Sequence, residues 1–169
     1  MIEARKNKYK KYIIYCLLIL LAQLLQNVSG LFPEIFGARC FLVIPTVLIL
    51  SVGEDELSSA FLGLFAGLVW DITSAVHRGF NFIFFALACF LISSLVNTII
   101  RDTFITNMIV CFVGAILYSL TYWLLFIVIT GNGSIETIFS FYLPSTLYTI
   151  VASFFIYLIF KPIKNKLNS

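Results

Sequence analysis

The chain has 169 residues, of which 61% are hydrophobic and only 11% charged. Soluble domains run near 45–50% apolar and about 25% charged, so this composition excludes a water-soluble fold and makes lipid the solvent. The net charge of +3 is carried by short clusters at the two ends, too short and too poor in interleaved aromatics for a nucleic-acid surface.

Arg5, Lys6, Lys8, Lys10 and Lys11 precede the first apolar run, which predicts a membrane helix over about 12–32. The basic start, the apolar run and Val28-Ser29-Gly30 imitate a secretory leader. The run is long for one, and five more apolar segments follow, so an uncleaved first span is expected. Gln23, Gln26 and Asn27 fall in its second half. Pro33, Gly37 and Arg39 mark the first turn.

The second segment, 40–52, carries Pro45 and is short. Thirteen helical residues rise about 20 Å, less than a bilayer core of about 30 Å. Either a short buried helix or a span beginning earlier, near Glu34, fits it. Gly53-Glu54-Asp55-Glu56 then reads as a solvated acidic turn or a docking point for a basic partner, and acids suit the start of the next helix. Further spans are predicted over 57–76, 80–100, 104–130 and 138–160. Six spans of about 20 residues leave loops and two tails, 1–11 and 161–169, and no room for a second domain.

The six spans place nine Lys and Arg on one side: the five N-terminal residues, Arg101, Lys161, Lys164 and Lys166. Only Arg39 and Arg78 fall on the other. The positive-inside rule makes the first side cytoplasmic, with both termini there. An odd number of spans would move the C-terminal lysines outside.

The third helix carries the most information. Ser59, Gly63, Gly67, Asp71 and Ala75 recur every fourth residue and so share one face. Four of the five are small, and small faces let helix backbones approach where lipid offers no hydrophobic force. The stripe is therefore a helix-packing or partner-docking face. Asp71 is the one acid well inside a predicted span, and such a residue faces protein and takes a partner. Arg39 and Arg78 are the candidate ion-pair partners, with Gln23, Gln26 and Asn27 as neutral alternatives.

Catalytic, cofactor and metal sites are not expected. His77 is the sole histidine, the acidic cluster lacks calcium-loop spacing, and phosphate-loop and zinc motifs are missing. Cys16, Cys40, Cys89 and Cys111 form no CxxC pair and read as small hydrophobes.

The run from Phe61 to Ala75 resembles the signature of the bacterial MreD rod shape-determining family: a glycine-rich helix ending in Gly67-Leu68-Val69-Trp70-Asp71. Ser74 and Gly79 keep the family's offsets from the Asp. Ala75 stands where Gly is usual, Arg78 where an apolar residue is common, and Cys40 where a Pro often follows the Arg. The specific part of the resemblance covers about 39–79, while length, span number and basic start agree along the chain.

The resemblance implies a non-enzymatic, multi-pass protein of the bacterial cytoplasmic membrane. It would act in the cell-elongation machinery, associating with MreC and through it with MreB filaments, RodA and its penicillin-binding protein in lateral peptidoglycan synthesis. It also implies an all-α fold like the S components of energy-coupling-factor transporters. A true vitamin-binding S component is the alternative, with Gln23, Gln26, Asn27, Asp71 and Asn81 available to a pocket. Ala-xxx-Ala pairs of the kind S components present are missing from the first helix. A lipid-modifying enzyme would need an interfacial carboxylate or His cluster, and the acids here are scattered.

Overall fold

A computed structural model of the chain describes residues 2–28, 39–74, 79–98, 102–128 and 141–168. These form six α-helices, with no strand among the described residues: α1 (Ile2–Asn27), α2 (Val43–Ser51), α3 (Glu56–Thr73), α4 (Phe80–Thr98), α5 (Phe104–Trp123) and α6 (Leu143–Asn168). A π-helical turn, Leu124–Val128, prolongs α5.

Five helices are long and apolar enough to cross a membrane: α1 from Asn7, α3, α4, α5 through Phe126, and α6 to Leu167. Their outer faces expose Leu17, Leu21, Leu87, Leu91, Leu117 and Phe155, each more than half accessible. Repeated on helix after helix, such faces suit lipid and not water.

The sixth, α2, has nine residues, about 13.5 Å of rise, and all nine are buried. It packs against every other helix and forms the axis of the bundle. A helix apolar on all sides belongs in such a place. Pro45 sits in its first turn, where no intrahelical N–H bond is lost. The Gln26 side-chain oxygen accepts the Val43 N–H at 3.1 Å, so α1 caps α2.

The helices outrun the predicted spans at both chain ends. The basic stretch before residue 12 is helical from Ile2, and α6 continues through Pro162 to Asn168. Lys and Arg are good helix formers, so the flanks prolong the spans as helix. The predicted edges at 29–32, 75–76, 99–100, 129–130 and 138–140 lie outside the described residues, as do Ala75, His77, Arg78 and Arg101.

Candidate functional site

Two polar assemblies close the bundle at its opposite ends. At the first, α3 lies against α4 in the most extensive helix pair of the fold. Ser59, Gly63, Gly67 and Asp71 are all buried. A Cβ on Gly63 would overlap the Phe85 carbonyl, and one on Gly67 the Asn81 carbonyl, so the two backbones touch there. Ser59 donates to the Ser51 carbonyl at 3.0 Å, joining α3 to the end of α2.

One helical turn beyond Gly67, Asp71 meets the start of α4. Its Oδ1 accepts from the Asn81 amide at 2.8 Å, and its Oδ2 from the Phe82 N–H at 3.0 Å. The first N–H groups of a helix lack internal partners and carry the positive end of its dipole, so a carboxylate there is satisfied electrically and by hydrogen bonding. Tyr118 of α5 donates to Asn81 Oδ1 at 2.8 Å, extending the chain to a third helix. The Tyr118 ring lies 5.4 Å from Trp70 and 5.8 Å from Phe85, stacked on both. Beside this cluster is a chamber of about 270 Å³ walled by Arg39, Trp70, Asn81, Tyr118 and Tyr142. Arg39 thus stands in the same neighbourhood as the Asp71–Asn81 pair.

Two of the three α1 amides are engaged elsewhere. Gln23 donates to Thr73 Oγ1 at 2.5 Å, Gln26 caps α2, and Asn27 is exposed.

The second assembly centres on Glu54 and corrects the reading of a solvated acidic turn. Gly53, with φ of +75°, lets the chain reverse after α2 and sends Glu54 inward. Glu54 is only 4% exposed. Lys11 pairs with it at 2.5 Å, and the hydroxyls of Tyr12 and Tyr15 donate to it at 3.3 and 3.2 Å. Its backbone carbonyl accepts from Ser93 and from Asn97 on α4. Of the other two acids Asp55 is exposed, with Lys8 at 3.4 Å, and Glu56 is half-buried.

Lys164, 2% exposed, lies beside this turn. It donates to the Ile49 carbonyl at 3.2 Å, to the Val52 carbonyl, and to Asp102 Oδ2 at 3.3 Å. It therefore serves the carbonyls at the end of α2, where a cation also suits the helix dipole. Asp102 further accepts from Asn107 at 2.6 Å and has Lys161 at 3.5 Å. Burial pushes the Asp102 carboxyl up, but Lys164, Asn107 and Lys161 together outweigh it and hold the group below its ordinary value.

Sequence reasoning placed Lys11 and Lys164 among flanking charges and missed this assembly. A signal was present in Ser93 and Asn97, one turn apart and so on one face of a predicted span. Such a pair asks for a polar group opposite.

The family model of the rod shape-determining protein MreD matches residues 6–166. The chain belongs to the MreD family. The match takes in both polar assemblies, α2 to α5 entirely, and all but the outer tips of α1 and α6 in this MreD-family bundle. Neither a curated protein nor a solved structure matches the chain. Membership assigns the protein to rod-shape determination, and the apolar helices agree with a multi-pass membrane protein.

Proposed function

We propose that this protein is a non-enzymatic membrane scaffold of the bacterial cell-elongation complex. In this reading it associates with MreC, and through it with MreB, RodA and its penicillin-binding partner, in lateral peptidoglycan synthesis. The family match over 6–166 carries the proposal. The Ser59–Gly63–Gly67–Asp71 stripe is read as a packing face, with α4 seated on it, so that partner helices meet other faces of the bundle. The backbone contact of Gly63 and Gly67 with Phe85 and Asn81 supports this choice.

In the same reading the Glu54 end is cytoplasmic and holds both termini. Lys11 from the start of α1 and Lys164 from the end of α6 meet the same α2–α3 turn, which supports an even number of crossings. The α2 segment reaches from the level of Gln26 to that of Lys11, which supports counting it as a crossing despite its nine helical residues. Asp71 is further proposed to pair with Arg39 or Arg78 in organising the opposite end. Rescue of a defective Asp71→Arg variant by Arg39→Asp or Arg78→Asp would support that pairing, and failure of both swaps would remove it.

The test of the scaffold is a pull-down of the C-terminally tagged protein from gently solubilised native membranes. Recovery of MreC with RodA or its penicillin-binding partner is expected. Recovery of an energy-coupling transmembrane subunit with its ATPases would overturn the scaffold. It would turn attention to the chamber beside Trp70 as a solute pocket.

A further inference from the structure

A groove runs along the membrane-facing side of the bundle between α1 and α6. These two helices scarcely meet, because α2 lies behind and between them. Leu18, Ala22 and Leu25 form one wall, Ile156 belongs to the other, and Leu42 and Thr46 lie on the floor. The space is about 300 Å³ and its lining is almost wholly apolar. At about 30 Å³ for a group the size of a water or methylene, it holds about ten such groups. A transmembrane helix, about 10–12 Å across, is far too wide for it. A hydrocarbon tail is the right calibre.

The two rims of the groove end in cations. On α1 the lipid-facing rim residue is Leu21, 52% exposed, and three turns nearer the Glu54 end on the same edge stands Lys10. On α6 the rim carries Phe155 and Ile159, 60% and 59% exposed, and two turns beyond Ile159 stands Lys166. Both lysines are exposed. They lie about 9–12 Å beyond the groove's near end at 1.5 Å per residue, the level of a headgroup whose tail enters the groove.

A second groove of about 300 Å³ lies between α5 and α6, near Ser119 and Thr146. It lies toward the opposite end of α6, where α5 and α6 themselves carry no Lys or Arg and the cation at hand is the single Arg39, whose backbone N–H donates to Ser145 at 3.2 Å. Apolar volume alone therefore does not distinguish the first groove. Its coincidence with an exposed lysine beyond each rim does.

We propose that the α1–α6 groove holds one acyl chain of an anionic phospholipid whose phosphate sits between Lys10 and Lys166. Lysines at a membrane surface favour anionic lipid by about 1 kcal/mol each, or roughly five-fold per lysine. The proposal is independent of the partners assigned above, since it needs only this chain and lipid.

The test is native mass spectrometry of the full chain in detergent, titrated with equimolar phosphatidylglycerol and phosphatidylcholine. The first lipid retained should be phosphatidylglycerol, with a preference of about five-fold or more. A Lys10→Gln/Lys166→Gln variant should bring the two lipids to near equality. Leu25→Trp, which fills the groove and leaves both lysines in place, should lower retention of both lipids together. Equal retention by the unaltered chain, a preference that survives the double lysine variant, or binding indifferent to Leu25→Trp would each overturn the proposal.

Discussion

Lys11 and Glu54 form an ion pair at 2.5 Å, with side-chain exposures of 15% and 4%. The pair ties the first apolar helix to the turn that reverses the chain between α2 and α3. Removing one partner of a buried pair leaves an uncompensated charge and costs about 3–5 kcal/mol, whereas removing both costs far less. Glu54→Ala should therefore lower thermal stability in detergent more than the double variant Lys11→Met/Glu54→Gln. A double variant less stable than Glu54→Ala would show that the charge is not what Glu54 contributes.

Asp71→Ala strips acceptors from the Asn81 amide and the Phe82 N–H together. Each buried donor left unsatisfied costs about 1–3 kcal/mol. Tyr118→Phe removes one hydroxyl from Asn81 Oδ1 and should cost about 1 kcal/mol. Thermal unfolding of the purified proteins should rank Asp71→Ala well below Tyr118→Phe. The same order is expected for complementation of cell shape.

Gly63→Val and Gly67→Val should abolish accumulation of folded protein. Both side chains would be driven into backbone carbonyls of α4, which cannot move aside singly. Gly114→Ala provides the contrast, because its first obstacle is the Leu48 side-chain methyl, which can rotate, and the cost should stay at about 1–3 kcal/mol. Size-exclusion profiles of fluorescently tagged variants would separate the two classes.

Acid should loosen the Glu54 end through Asp102. Its carboxyl is held below the ordinary value of 3.8, so the charged form is favoured in the folded state. The resulting stability is fully present above that ordinary value and is lost as pH falls through the lower, folded one. Melting temperature should therefore drop below about pH 4, and Asp102→Asn should show a shallower acid limb. Parallel acid limbs in the two proteins would place the effect on other carboxylates.

The stripe from Ser59 to Asp71 was legible because helical geometry alone puts every fourth residue on one face. Residue size marked it as a face for packing or for docking a partner without choosing between them, and the contact of Gly63 and Gly67 with the α4 backbone is visible only in the fold. The partner of Asp71 was less legible. Charge arithmetic points to arginines, whereas the Asn81 amide and the N-terminus of α4 that reach it become visible only once α4 is packed against α3. The Glu54 assembly escaped sequence reasoning for a related reason. An acid next to a glycine turn looks solvated in one dimension. Whether it turns inward depends on the Gly53 dihedral and on Lys11, forty-three positions away.

The sequence by itself determined the solvent, the helical class and the small face of α3, since each follows from composition or from periodicity within one segment. Tertiary structure alone decided that α2 is the buried axis, that Lys11 and Lys164 turn inward while Lys10 and Lys166 remain outside, and that α4 occupies the glycine stripe. Those outcomes depend on which segments become neighbours. In lipid, neighbours are chosen by close packing and by the need to satisfy every buried polar group, and both are properties of pairs of helices.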